Sequence, residues 1–112
     1  MYNQTLTKNN PSRMNQYLVK EVLEATPEQL LIKVYDFAIL NCQRNNLEKT
    51  NKAIKELINF LRWDTEKGKA VNSGLFRLYE YCQEEMRKKN NEIVFKILTE
   101  LRDTWLKAFK MK

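Results

Sequence analysis

Any chemistry in this chain would have to come from two cysteines and fourteen carboxylates, because it contains no histidine. The commonest general base and metal ligand is therefore missing. Cys42 and Cys82 lack the close spacing of a metal site, and neither has a partner base in the surrounding sequence. Both fall on apolar helix faces, where a free cysteine behaves as a small hydrophobe, so buried thiols are expected. The acidic pairs Glu84-Glu85 and Glu28 with Asp36 sit on polar helix faces and read as solvated surface. Gly68 and Gly74 stand alone, so there is no glycine-rich phosphate loop. Catalysis, a metal and a cofactor all lack support. What remains is binding.

The elements that would carry a binding surface are helical. Both prolines lie within the first 27 residues, and everything after Pro27 is free to be helix. Thr26-Pro27-Glu28-Gln29 starts the first long helix. The Thr26 hydroxyl can cap it, Gln29 can reach back to the cap amide, and Pro27 takes the first helical position, where its missing donor costs nothing. That helix, about Pro27–Arg44, is apolar over an arc of roughly 200°, wider than the stripe of somewhat over ~100° that a bundle helix needs. A second helix, capped by Asn46 or Thr50, ends near Leu61-Arg62. Asp64 or Thr65 caps a third, about Lys69–Lys89, with Gly68 in or beside the turn and Gly74 inside, where close helix approach is one explanation. The fourth, about Asn91–Lys110, is again apolar over roughly 200°.

Four helices with short turns predict an all-α fold, an antiparallel up-down four-helix bundle in which the first and fourth helices are neighbours. Residues 1–13 read as a flexible tail and residues 14–112 as one domain. From Met14 to Ala25, Tyr17, Leu18, Val22 and Leu23 recur at helical spacing, giving a short amphipathic segment hinged at Pro27. The two wide faces leave three outcomes open: deeper core, a homodimer contact, or an apolar groove between helices one and four for the hinged segment to cover. The formal charge of +6 admits an anionic partner, but the basic residues are interleaved with acidic ones along the helices, the pattern of a solvated surface. The first residues lack the apolar run of a signal peptide, and no stretch approaches the ~20 residues of a membrane span, so a cytoplasmic protein is expected.

NQYLVKEVLEATPEQLLIKVYDFAI resembles the opening of the flagellar secretion chaperone FliS family, with its Ala-(Ser/Thr/Asp)-Pro-Glu-x-Leu core followed by Leu-Tyr-Asp-Gly-Ala. NKAIKELINFLRWDTEKGKAVNSGLFRLYEYC and LTELRDTW are similar to the family's middle and closing segments, so the likeness covers about residues 15–110. Phe37 stands where the family usually has glycine, Arg62-Trp63 interrupts its Leu-Asp step, and the tail before Asn15 is longer than is common. The resemblance implies a cytoplasmic bundle that binds the disordered C-terminal segment of flagellin, prevents its early polymerisation and helps deliver it to export apparatus components, with no nucleic acid or membrane partner. It also implies that the N-terminal segment lies over the groove and gives way to the client. On that reading Tyr17, Leu18, Val22 and Leu23 shield apolar surface near Ile32, Tyr35 and Ile39, with Phe95, Leu106 and Phe109 across the groove. The competing classes are a basic nucleic-acid or membrane-surface binder and a constitutive homodimer.

Overall fold

The Thr26–Gln29 capping box forms as its spacing demands. The Gln29 amide donates to the Thr26 hydroxyl at 3.1 Å, and the Thr26 amide donates to the Gln29 side chain at 2.9 Å. A computed structural model of the chain describes residues 20, 24–61 and 66–111. The chain divides into two units, residues 1–30 and 31–112. Among the described residues there are four helices: α1 Pro27–Gln43, α2 Leu47–Asn59, α3 Glu66–Arg87 and α4 Asn91–Ala108. The flexible tail, the hinged amphipathic segment and the Asp64 or Thr65 cap fall outside the described residues. Asn46 is the α2 cap, its side chain accepting the Lys49 amide at 2.9 Å. Thr50 is instead buried within α2.

Two expectations about glycine need correction. Gly68 is inside α3, which starts earlier than the pattern suggested. Gly74 allows no close approach, because a Cβ added there meets nothing within 4 Å. It costs helix propensity without giving any packing in return.

The unit of residues 31–112 is the four-helix bundle. Hydrogen bonds fix its directions. Tyr35 meets Tyr79 and Cys42 meets Met86, so α1 and α3 run parallel. Tyr35 meets Trp105 and Cys42 meets Asn91, so α1 and α4 run antiparallel as neighbours. The core holds Tyr35, Ala38 and Cys42 of α1, Ala53, Ile54 and Leu57 of α2, Tyr79, Cys82 and Met86 of α3, and Val94 and Leu98 of α4. Its volume comes mostly from aliphatic side chains, but its centre is polar. The Tyr35 and Tyr79 hydroxyls share a hydrogen bond at 2.5 Å, and the Trp105 indole N–H donates to the Tyr35 oxygen at 3.0 Å. With the tyrosines 0% and 1% exposed, these bonds replace the water each hydroxyl lost on burial.

Burial makes these groups hard to ionise. It raises both tyrosine hydroxyls above their ordinary range, and at Tyr35 the neighbouring Tyr79 adds to the effect. It pushes the Cys82 thiol up to about 12, with further contributions from Cys42 and Glu85. Cys42 and Cys82 are both free and buried, as expected from their faces. Below the unfolded values of 9.0 for cysteine and 10.0 for tyrosine, both states keep these protons and stability is insensitive to them. Above that range the unfolded chain releases protons that the folded chain retains, so stability falls as pH rises. The melting temperature should therefore decline progressively as pH rises from 9.0 toward 12. In the same experiment, Cys82 should resist alkylation at pH 9.0 until the protein unfolds.

Candidate functional site

The α2 and α3 backbones come close together, as do those of α3 and α4, whereas α1 makes fewer close backbone approaches to its neighbours. Between α1 and α4, long side chains make the joints. One joint is the Trp105–Tyr35 hydrogen bond. The other is an ion pair in which Arg102 Nε donates to Asp36 Oδ1. That hydrogen bond, followed by the Asp36 and Asp103 charges, holds the Arg102 guanidinium above its ordinary pKa despite some desolvation. The pair is partly solvated, with side chains 30% and 51% exposed for Arg102 and Asp36, and surface pairs of this kind add little stability. Its effect is positional: it ties the two helices at mid-seam.

Helical spacing shows what flanks that tie. On α4, Phe95, Leu106 and Phe109 share one stripe with Arg102, being seven residues before it and four and seven after it. On α1, Ile32, Ile39 and Leu40 lie four before, three after and four after Asp36. The seam is thus a polar clasp with apolar surface on both sides. Phe95 and Ile39 are half-buried against the core. Leu106 and Phe109 are half-buried outside it, and Phe109 stacks on Trp105 with ring centroids 5.4 Å apart. Leu40 is 42% exposed.

The six residues expected to meet a client therefore separate into two groups. Ile39, Phe95, Leu106 and Phe109 retain exposed surface along the seam. Ile32 is 7% exposed, and Tyr35 belongs to the core and has no exposed surface at all. The α1 periodicity placed them on the wide apolar arc, but periodicity does not say which part of an arc turns inward. Tyr17, Leu18, Val22 and Leu23 lie outside the described residues. Sequence reading missed Leu40, which the arc omitted, and the Asp36–Arg102 tie, whose partners are far apart in sequence and carry no local signal.

The α2–α3 seam is closed by an amide exchange. Asn51 Nδ2 donates to the Gln83 carbonyl and Gln83 Nε2 to the Asn51 carbonyl, each at 3.1 Å. Elsewhere, a cleft of about 1130 Å³ lies where the α1–α2 turn, the end of α3 and the start of α4 converge, lined among others by Leu47, Tyr81 and Ile93. No group of three or more His, Cys, Asp or Glu that could hold a metal occurs among the described residues. No described helix is long and apolar enough to cross a membrane.

The family model described as flagellar protein FliS matches residues 9–112. Searches of curated proteins and of solved structures find no match. A match running from the N-terminal tail through all four helices agrees with the bundle and with the motifs at Thr26–Leu30, Leu78–Tyr81 and Leu101–Trp105. The chain belongs to the FliS family of flagellar chaperones.

Proposed function

We propose that this protein holds the disordered C-terminal segment of flagellin on the α1–α4 seam. There it keeps the segment from polymerising in the cytoplasm and presents it to export apparatus components. The observation that carries this reading is the form of the seam: two helices clasped by side chains, with Ile39, Leu40 and Phe95 toward one end of the clasp and Leu106 and Phe109 toward the other. An amphipathic client helix would lay its apolar face on both flanks at i, i+3, i+4 and i+7 anchors. Because the client is disordered beforehand, it gives up ordering entropy on binding, and a broad apolar surface is needed to offset that cost.

Competitive shielding completes the proposal. In the free protein Tyr17, Leu18, Val22 and Leu23 cover this apolar surface, and the client displaces them. A chaperone that must stay soluble while waiting for its client gains from such a cover, since uncovered apolar patches invite aggregation.

Calorimetric titration with a synthetic C-terminal flagellin peptide tests the binding surface. The L106D/F109D double variant should bind at least tenfold more weakly, a loss of about 1.4 kcal/mol or more. Binding by the unmodified protein should have a negative heat-capacity change and a shallow dependence on salt. A steep fall in affinity with salt, or preferential capture of DNA, would favour the basic-surface alternative. Sedimentation showing a dimer that the peptide leaves intact would favour the homodimer.

Removing residues 1–24 should raise peptide affinity and increase binding of a hydrophobic dye. If neither changes, the shielding mechanism is wrong even where peptide binding itself holds.

A further inference from the structure

The two turns α1–α2 and α3–α4 are closed by the same bonds at an offset of 44 residues, the separation that also links Tyr35 to Tyr79. The Asn46 amide donates to the Asn41 carbonyl, and the Asn90 amide to the Glu85 carbonyl. Asn45 donates to Cys42 as Lys89 donates to Met86, with left-handed φ of 58° and 66° at the two donors. Closures of this type are common at helix ends, so they do not by themselves indicate a repeat.

Sequence and burial extend the correspondence. At the same offset LIKVYDF (31–37) falls on LFRLYEY (75–81), and NLEKTNKAIKEL (46–57) falls on NNEIVFKILTEL (90–101). Tyr35 and Tyr79, Ala38 and Cys82, Cys42 and Met86, Ile54 and Leu98 are matched pairs, each member buried. Even the exposed aromatics agree, Phe37 at 48% and Tyr81 at 47%. Tyr35 bonds Tyr79, and Cys42 touches Met86, so residues meet their own counterparts, as they do on a two-fold axis.

We infer that the bundle is two copies of one helical hairpin about an internal pseudo-two-fold axis, and that Asn51 and Gln83, with the charged Glu84, bar the client from the second of its two symmetry-related seams. The two-fold maps the α2–α3 seam onto the α4–α1 seam. Asn51 then corresponds to Phe95, Gln83 to Ile39 and Glu84 to Leu40. Where one seam has paired amides bonding across to the opposite backbone, the other has an isoleucine and a phenylalanine. The amides join the α2 and α3 backbones and present nothing apolar. Their counterparts Phe95 and Ile39 can form no such bonds and keep apolar surface. The exchange leaves Asn51 Oδ1 buried without a partner, so the lock carries a desolvation cost. A client helix approaching α2–α3 would have to break two hydrogen bonds for no apolar gain. One bundle therefore takes one client, on one side.

This inference rests on the proposed client reading, and the test separates the two. Calorimetry of the full chain with the flagellin C-terminal peptide should give one site per chain. The unlocked variant N51L/Q83L/E84L should give two sites, and a folded unlocked variant that keeps one overturns the inference. If circular dichroism shows that it does not fold, transplanting the lock decides. In I39Q, F95N and the double variant, the double should recover melting temperature lost by the singles and bind peptide at least tenfold more weakly than the unmodified protein. Additive losses in melting temperature overturn the lock. If the unmodified protein binds no peptide, the client reading fails, and the melting-temperature cycle alone decides the lock.

Discussion

Three aromatic side chains from three helices meet at one hydroxyl. Tyr35 shares a hydrogen bond with Tyr79 and accepts another from Trp105, linking α1 to α3 and α4 inside an otherwise apolar core. Apolar contacts are nondirectional and would let α1 slide or rotate against its neighbours, whereas hydrogen bonds between ring tips fix its register. The bonds also set distance, because a tyrosine and a tryptophan joined tip to edge span more space than two packed aliphatic chains. The network is self-enforcing: removing one hydroxyl would leave the others buried and unpaired, which costs more than the bond itself contributes.

On the proposed function, the bundle must offer apolar surface to a disordered segment without aggregating through it. The Asp36–Arg102 ion pair interrupts the apolar flanks of the α1–α4 seam. The net charge of +6 works against self-association. The pseudo-two-fold adds a second constraint. A symmetric molecule with two apolar seams would expose twice the sticky surface and admit two clients, and the Asn51–Gln83 exchange removes one of them. On this inference, asymmetry between the two seams gives the bundle a front and a back.

Much of the framework was legible before any coordinates. The Thr26–Gln29 box, the turns at Asn45-Asn46 and Asn90-Asn91, and the inward Cys42 and Cys82 all follow from local spacing, which is where sequence speaks most directly. The site was harder to read. Tyr35 falls on the apolar arc like Ile39, and no periodicity tells a ring whose hydroxyl bonds at the core centre from a side chain that lines a groove. Gly74 suggested close packing because glycine tolerates it, yet tolerance is not use, and its surroundings are open. The internal repeat is masked where it matters most. Gln83 and Ile39, or Asn51 and Phe95, are unlike in chemistry, so the 44-residue offset does not stand out at these positions.

The client is proposed to sit on one of two symmetry-related seams, and the most direct measurement is where a bound peptide lands. Side-chain NMR of the full chain, titrated with the flagellin C-terminal peptide, reports that position residue by residue. Perturbed signals are expected from Ile39, Leu40, Phe95, Leu106 and Phe109, with the Asn51 and Gln83 side-chain amides unmoved. Large shifts at Asn51 and Gln83 with a silent α1–α4 seam would contradict that placement.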